Sequence, residues 1–464
     1  MPLQAQEAKE TEKLNKELKQ MQERFERMLR EQQAQIDALK KQLDAAKTNP
    51  PPAIVLQPAA VTNGEPNLPP GMAAAPWSPA APIRLAGGGQ NYISLSFDAL
   101  VAAGASTAKD IDKLELGGHD PKQRGFTVQN LETVFEGKVD PYFRGQANVV
   151  LQINPHGDTT IEAEEAYLET MALPWNLQVK AGQFFTEFGR LNPTHPHTWD
   201  FVDQPLVNGR FLGEDGLRSA GARLSWLTPT PFYSELFLTL QNSQGGTTFS
   251  FRNDHDGSPF FGRPNTQGRV TSLGDMLFAP RYAASFDLTD AQTLVAGASA
   301  AIGPNGSGTD SATQIYGVDL FWKWKSPQQH AGFPFVSWQT EGMLRRFEAG
   351  AFPGDLTTPA LPRETLIDYG LYSQVAYGFR KGWVAALRGD YVFPEKPGLY
   401  ESIVGPDPDR ASRWRISPNL TWYPSEFSKI RLQYNYDHRN GIGDDHSVWA
   451  QFEFLLGTHA AHKF

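Results

Sequence analysis

Residues 429–437 read KIRLQYNYD, and residues 142–153 read YFRGQANVVLQI. In both stretches apolar and polar side chains nearly alternate, so an extended strand would have one apolar face and one polar face. In a soluble sandwich the apolar face forms the core. In an outer-membrane barrel the apolar face meets lipid and the polar face lines a wet lumen. The alternation predicts β-strands and leaves these two architectures open.

Four features favour the barrel. Strand-like runs of about 9–15 residues exceed the ~5–6 residues usual in sandwiches. Long polar connections (243–275, 303–313, 349–365 and 394–411) contrast with tight turns (139–141, 381–382 and 424–427). The chain ends on Phe464, an aromatic terminus like that of the barrel proteins it resembles. Aromatic side chains cluster at strand ends, as interface girdles do, at Trp322, Trp324, Trp338, Tyr391, Phe393, Trp422 and Tyr423.

The fold prediction is therefore an all-β transmembrane barrel of about 16 antiparallel strands, preceded by an N-terminal α-helical coiled coil. The N-terminus and the C-terminus of the barrel domain are both expected on the periplasmic side. The strands are predicted near 91–103, 125–139, 141–154, 160–172, 176–184, 216–227, 231–242, 277–288, 292–302, 312–325, 335–348, 366–380, 382–393, 411–423, 428–438 and 446–457.

Composition excludes several classes of protein. The 464 residues contain no cysteine, so no disulfide framework, thiolate metal site or cysteine nucleophile is possible. The net charge of −9 argues against nucleic-acid binding. No apolar run of about 20 residues marks a membrane-spanning helix. No nucleophile elbow or HExxH motif stands out, so we do not expect an enzyme. A secretory signal is absent from the first residues, so we expect it to have been removed.

The first 90 residues divide into two segments. Residues 7–47 lack Gly and Pro and carry a heptad seam of Leu14, Leu18, Met21, Phe25 and Met28. A lone helix with such a stripe is unstable in water, so residues 1–47 are predicted to be a periplasmic coiled-coil segment, whose helix (7–47) is about 60 Å long. Residues 48–90 are rich in Pro and Ala and predict an extended linker. The barrel domain then covers 91–464.

The richest stretch follows the fifth predicted strand: GQFFTEFGRLNPTHPHTWDFVDQPLVNGRFLGEDG, residues 182–216. Its Gly182-Gln183-Phe184 and Phe188-Gly189, with Glu165-Ala166-Tyr167-Leu168-Glu169 before it, resemble the phosphate-selective (polyphosphate) porin family of the outer membrane. The run from Asn192 through His195-Pro196-His197 and Trp199 to Leu206 resembles more closely a relative labelled a zinc-regulated outer-membrane receptor. The resemblance covers roughly residues 91–464.

The resemblance implies a homotrimer of sixteen-stranded diffusion channels, each narrowed by an inward loop at about 185–215. The expected constriction residues are Glu187, Arg190, His195, His197, Asp200, Asp203 and Arg210. The expected lumen charges are Glu132, Glu136, Arg144, Arg388, Asp390, Arg413, Arg415 and Arg431. Phosphate selectivity in the family depends on ladders of Arg and Lys, whereas here acidic residues interrupt the basic ones.

His195 and His197 also suggest a metal site. In an extended chain their side chains share a face about 7 Å apart, and Asp200 or Asp203 would complete an oxygen–nitrogen site suited to zinc. His459 and His462 form a second, looser pair. The alternative is that these histidines hydrogen-bond the loop to the barrel wall. No other cofactor is expected.

The predicted function is passive diffusion of small hydrophilic or charged solutes through an outer-membrane porin. Two alternatives remain: a structural tether, in which the coiled coil joins the outer membrane to peptidoglycan, and a porin for zinc or another divalent metal. Outer-membrane lipid is the expected surrounding, and no nucleic-acid partner is expected.

Replacing Leu18 and Phe25 together by Asp should melt the coiled coil while leaving the barrel folded, because both side chains lie on the apolar seam. Circular dichroism would show loss of helical signal with unchanged β signal. If the isolated segment 1–47 is monomeric and non-helical at high concentration, the coiled-coil prediction fails.

Overall fold

The computed structural model describes residues 83–88, 91–154, 156–252, 260–266, 268–356 and 358–457. Within them, sixteen strands between residues 91 and 456 form one antiparallel sheet, in which each strand pairs with its neighbours in the sequence. The last of these strands pairs with the first and closes the sheet into a barrel. The strands are β1 (Ile83–Gly88), β2 (Asn91–Ser106), β3 (Gly125–Lys138), β4 (Phe143–Ile153), β5 (Thr159–Thr170), β6 (Leu177–Phe185), β7 (Arg218–Leu227), β8 (Tyr233–Asn242), β9 (Met276–Thr289), β10 (Gln292–Pro304), β11 (Ala312–His330), β12 (Phe333–Ala349), β13 (Glu364–Arg380), β14 (Trp383–Pro394), β15 (Arg413–Ser425), β16 (Ser428–Arg439) and β17 (Gly443–Leu456).

The prediction of sixteen antiparallel barrel strands is confirmed across the described residues. The two ends of the barrel differ, because every connection at one end spans two to six residues. We call it the short-turn end. At the other, long-loop end, the connections include 107–124, 186–217, 243–275 and 395–412. These long loops supply most of the chain that is available to fill the lumen.

The two faces of the wall are reversed relative to a soluble protein. In β16, Leu432 is 56% exposed on the outside, whereas Arg431 is 1% exposed on the inside. Outward-facing Trp338, Tyr391 and Trp422 are likewise exposed. A sandwich would bury its apolar face, so of the two architectures that the alternation left open, the structure is the barrel.

One strand lies outside the barrel cycle. β1 falls within the segment predicted as linker (48–90) and pairs antiparallel with the start of β2. β17 reaches β2 only as far as Phe97, so the edge of β2 from Asn91 to Leu95 is free for β1. The end of the predicted linker is thus a strand. The predicted coiled coil, the rest of the linker and Phe464 lie outside the described residues.

Two short helices occur in the long loops, α1 (Leu206–Phe211) and α2 (Leu399–Val404). All six residues of α1 are buried, so this helix lies inside the molecule. No helix in the described part of the chain is long and apolar enough to cross a membrane.

Candidate functional site

Loop 186–217 runs through the lumen instead of over the rim of the barrel. Its backbone N–H groups donate to side chains that face inward from β10, β12, β14 and β16. Backbone groups in an irregular segment need such partners when they are buried. These hydrogen bonds are Gly189 to Ser299 Oγ (3.0 Å), Leu191 to Glu341 Oε1 (2.8 Å), Leu206 to Asp390 Oδ1 (3.1 Å) and Val202 to Gln433 Oε1 (2.9 Å).

Asp203 is the most heavily bonded residue of the loop and is fully buried. Its Oδ1 accepts from Arg388 Nη2 at 2.7 Å and from Gln433 Nε2 at 2.8 Å. Its Oδ2 accepts from Arg415 Nη1 and from Asn435 Nδ2. Burial raises the pKa of Asp203, but the charges of Arg388 and Arg415 outweigh burial and lower it to about 2. One carboxylate therefore joins the loop to β14, β15 and β16.

Loop 107–124 also folds inward and packs on loop 186–217. Glu115 Oε2 lies 2.8 Å from Arg415 Nη1, beside Asp203. Asp120 Oδ1 accepts from the backbone N–H of Gln204 at 2.8 Å. The two loops therefore share the same ion-paired wall.

His195 projects from the loop into a group of wall carboxylates. Its Nδ1 lies 2.9 Å from Glu164 Oε2 and 3.3 Å from Glu132 Oε1. Its Nε2 lies 3.1 Å from Glu165 Oε2. All four side chains are buried. Both ring nitrogens of His195 therefore face carboxylates of the β3 and β5 wall.

His197 occupies the adjacent position. Its Nδ1 lies 2.8 Å from Asp98 Oδ2 and 3.6 Å from Glu132 Oε2. The rings of His195 and His197 stack at a centroid distance of 5.9 Å. Glu132 thus presents one oxygen to each histidine. We call Asp98, Glu132, Glu164, His195 and His197 the histidine–carboxylate cluster.

A β-bulge places Glu164 in this cluster. Asn148 pairs with Glu165, but the next residue, Val149, pairs with Ala163, so Glu164 is the extra residue. A bulge redirects a side chain that strict alternation would send to the opposite face. As a result the consecutive residues Glu164 and Glu165 are both buried.

The carboxylates change the protonation of the loop histidines. Burial lowers the pKa of His197, but hydrogen bonding to Asp98 and Glu132 outweighs it and raises the pKa to about 9. The pKa of His119, on loop 107–124, is likewise raised to about 9, against the effect of burial, by Glu164. Glu132 and Glu164 raise the pKa of His195 despite its burial. In the absence of a competing cation, the imidazoles of His119 and His197 therefore carry protons at neutral pH.

The two aspartates that the sequence placed beside these histidines lie elsewhere. Both oxygens of Asp203 are used by the arginines and amides of β14–β16. Asp200 accepts from Gln374 Nε2 at 3.1 Å, on β13. Among the described residues, the side chains that converge closely enough to share a metal ion with His195 or His197 include neither aspartate.

The remaining predicted constriction residues are spread around the loop. Glu187 pairs with Arg223. The Arg190 guanidinium lies 3.9 Å from the centroid of the Phe321 ring. Arg210 donates to the backbone of loop 395–412, at Ala411 O (2.7 Å).

The predicted lumen charges line the inner wall, mostly in ion pairs or hydrogen bonds that link neighbouring strands or the inward loops. Arg144 contacts Glu136 and Glu169 near the short-turn end. The other pairings are Arg388 with Asp390 and Asp203, Arg413 with Asp437, Arg415 with Asp437, Glu115 and Asp203, and Arg431 with Gln451 and Trp199 O.

Two cavities lie on opposite sides of the inward loops. A cavity of about 260 Å³ on the short-turn side is lined by residues that include Glu136, Lys180, Glu187 and His195. A cavity of about 500 Å³ on the long-loop side is lined by residues that include Arg210 and Arg413. The layer of packed side chains between the two cavities contains the buried ion pairs of Asp203 and the histidine–carboxylate cluster.

Sequence reasoning missed the cluster residues Asp98 and Glu164, and the nearby His119 and Glu165. Asp98 interrupts an otherwise apolar or small stretch from Phe97 to Ala103, which is a signal for an inward-facing charge. Glu164 and Glu165 form an acidic pair that breaks the alternation of β5, which is the signature of a bulge. Their partners could not be assigned, because those partners lie on distant parts of the chain.

An uncharacterized protein of Aquifex aeolicus (strain VF5) is 31% identical over 378 residues, which cover 75% of this chain and 73% of that protein. The chain therefore belongs to the same family as the Aquifex aeolicus protein. No protein-family profile matches the chain.

Solved structures with a similar chain fold include several outer-membrane proteins. The outer membrane channel DcaP of Acinetobacter baumannii is 12% identical, with a TM-score of 0.49, covering 79% of this chain and 97% of that one. Salmonella typhi OmpF is 12% identical, with a TM-score of 0.44, covering 79% of this chain and 98% of that one. The trimer form of Vibrio cholerae OmpT is 8% identical, with a TM-score of 0.47, covering 79% of this chain and 100% of that one. All three TM-scores are below 0.5, so these similarities do not assign a function to this chain.

Replacing Asp203 by Ala should destabilise the folded protein by about 3 kcal/mol, because it leaves buried arginines with fewer partners. Asp200→Ala is the matched control. It removes one hydrogen bond from a half-buried side chain and should cost about 1 kcal/mol or less. Guanidinium unfolding in detergent, followed by tryptophan fluorescence, measures both. Equal losses would contradict the anchoring role of Asp203.

Proposed function

We propose that this member of the Aquifex aeolicus protein's family is an outer-membrane diffusion channel for small hydrophilic or charged solutes. The observation that carries the proposal is a closed barrel with an apolar outside and an ion-paired inside, crossed by an inward loop. Each part of this arrangement has a separate physical consequence.

The outer surface is suited to lipid. Large apolar side chains are exposed on successive strands, including Ile161 (70%), Leu238 (48%), Leu387 (54%) and Phe454 (51%). Monomers in water rarely expose contiguous apolar patches of this extent. Closure of the barrel also gives each of the strands β2 to β17 two neighbours, as a hydrocarbon environment demands. These features support a membrane-embedded barrel.

The interior is suited to polar solutes. Basic side chains such as Arg388, Arg413 and Arg415 face the lumen together with Asp390 and Asp437. Fixed charges of both signs create a local field that a small ion or polar solute experiences as it passes. The mixture does not form a basic ladder, so this lumen does not favour phosphate over other solutes. The resemblance to phosphate-selective porins accordingly supports the barrel and the inward loop more than the cargo.

The inward loop sets the width of the path. Its buried α1 helix and its amide contacts to four strands place it between the two cavities. A solute that crosses must pass the gap between loop 186–217 and the wall. Permeation should therefore be slow and selective by size, with the loop as the constriction.

Assembly and tethering are further parts of the proposal. A homotrimer is what the resemblance to trimeric porins implies, whereas a link to peptidoglycan depends on the predicted coiled coil (1–47), which lies outside the described residues. Pore function needs only the barrel. The two functions can therefore be separated by deleting residues 1–82.

Deleting residues 190–210 should raise single-channel conductance several-fold, because the deletion removes α1 and the contacts of the loop with the wall. Planar-bilayer recording of the purified barrel measures this directly. Asp158→Asn, at the exposed tip of loop 154–158, is the control and should leave conductance unchanged.

An unchanged conductance in the deletion variant would place the loop outside the solute path. Absence of conductance in both the wild type and the deletion variant would contradict the channel proposal itself. Heat-dependent electrophoretic mobility verifies that each variant remains a folded barrel.

A further inference from the structure

We propose that the histidine–carboxylate cluster of Asp98, Glu132, Glu164, His195 and His197 binds a divalent transition-metal ion. The proposal does not depend on solute transport, since binding can be measured on the purified protein. It differs from the arrangement expected from sequence, because the carboxylates come from the barrel wall and not from Asp200 or Asp203.

The donor atoms already converge in two lobes. Asp98, Glu132 and His197 form one lobe, and Glu132, Glu164 and His195 form the other. Within each lobe one ligand atom per residue lies within 4.8 Å of the others. Ligands of one ion at bond lengths of about 2.0–2.2 Å are at most about 4.4 Å apart, so little movement is needed. Glu132 belongs to both lobes and can bridge them.

The orientation of His195 is that of a metal ligand. Metal-bound histidines nearly always use one ring nitrogen for the metal and donate the other N–H to a carboxylate or carbonyl. Here Nδ1 faces the lobe, and Nε2 lies 3.1 Å from Glu165 Oε2. Glu165 would then fix the tautomer and orientation of the ring from outside the lobe.

Glu164 supplies a second, independent observation. Its side chain is 1% exposed, and within the described residues its Oε2 has no hydrogen-bond donor from the barrel wall. That oxygen faces Nδ1 of His195 at 2.9 Å. Its other oxygen, Oε1, is near His119 (3.5 Å) and Arg218 (3.6 Å). A buried carboxylate oxygen aimed into the lobe is a ready ligand for a cation.

The chemistry of the donors selects the class of ion. Each lobe offers one imidazole nitrogen and two carboxylate oxygens, and the sequence contains no cysteine. Mixed nitrogen and oxygen donors suit zinc and its neighbours, whereas calcium and magnesium prefer oxygen alone. Three donors leave at least one position of a four-coordinate ion for water.

An ion can reach the cluster from the short-turn side. His195 and Glu165 line the cavity of about 260 Å³, which also contains Glu136 and Glu187. These acidic side chains would attract a cation toward the lobe. The site therefore sits at the entrance to the constriction, where a bound ion would also hold loop 186–217 against β2, β3 and β5.

Isothermal titration calorimetry with zinc chloride, on the folded full-length chain in detergent, tests the proposal. All proteins carry His459→Ala and His462→Ala, which remove the looser histidine pair. This reference protein should bind one or two zinc ions per chain. The double variant His195→Gln, His197→Gln should bind at least 100-fold more weakly, and Glu132→Gln should weaken both lobes.

Two further variants sharpen the assignment. Glu165→Gln keeps every donor of the cluster but alters the partner of His195, so affinity should fall about 10–100-fold. His438→Gln disrupts an exposed histidine–aspartate pair with Asp444 (2.6 Å) and should leave zinc affinity unchanged. Comparing His438→Gln with the His195→Gln, His197→Gln double variant contrasts the loss of an exposed histidine with the loss of two buried ones.

Zinc affinity that is equal in the reference protein and in the His195, His197 double variant would overturn the proposal. If the double variant does not fold, zinc content of the reference protein, measured by elemental mass spectrometry after dialysis, decides instead. One or two ions per chain, with the visible spectrum of cobalt bound to mixed nitrogen and oxygen ligands after exchange, supports the site. A metal-free protein overturns it.

Discussion

The carboxylate of Asp203 is buried among Arg388, Arg415, Gln433 and Asn435, and its position determines where the inward loop can lie. A buried carboxylate tolerates no loss of these donors without a large cost in free energy. Because the donors come from β14, β15 and β16, the loop cannot shift along the lumen without breaking several bonds at once. The inward loop, which is the proposed constriction, is therefore fixed to the wall.

The loop contacts a neighbouring part of the wall through its histidines. Asp203 bonds to β14–β16, while His195 and His197 reach Glu164 on β5 and Asp98 on β2, beyond β17. Because Gly189 and Leu191 also bond to β10 and β12, the loop spans the lumen. Proposed pore function depends on the gap that this span leaves, and proposed metal binding depends on the carboxylates that it approaches. Both follow from one placement of the loop.

The sequence was sufficient to predict the barrel, because a period of two assigns each side chain of a strand to one face, and the long strands and the unequal connections favour a barrel over a sandwich. Residues 429–437 show this directly, since Leu432 is outside and Arg431 inside. The partners of His195 and His197 could not be predicted in the same way. The prediction assumed an extended chain, but Pro196 begins a 3-10 turn. Asp203 pairs with Arg388 and Arg415 and not with the histidines. The coiled coil remains a prediction.

The position of loop 186–217 is tested most directly by a disulfide between α1 and β13, since the chain has no cysteine of its own. A Cβ atom added at Gly370 would lie 2.9 Å from Cβ of Val207, so the two positions adjoin, and a shift of about 1 Å would bring their Cβ atoms to the ~3.5–4.5 Å of a disulfide. The pair Val207→Cys, Gly370→Cys should therefore cross-link on oxidation, as shown by mass spectrometry of peptides. The control pair Val207→Cys, Leu371→Cys should not, because Leu371 is exposed on the outside. Free thiols in the first pair, in a folded barrel, would contradict a loop fixed inside the lumen.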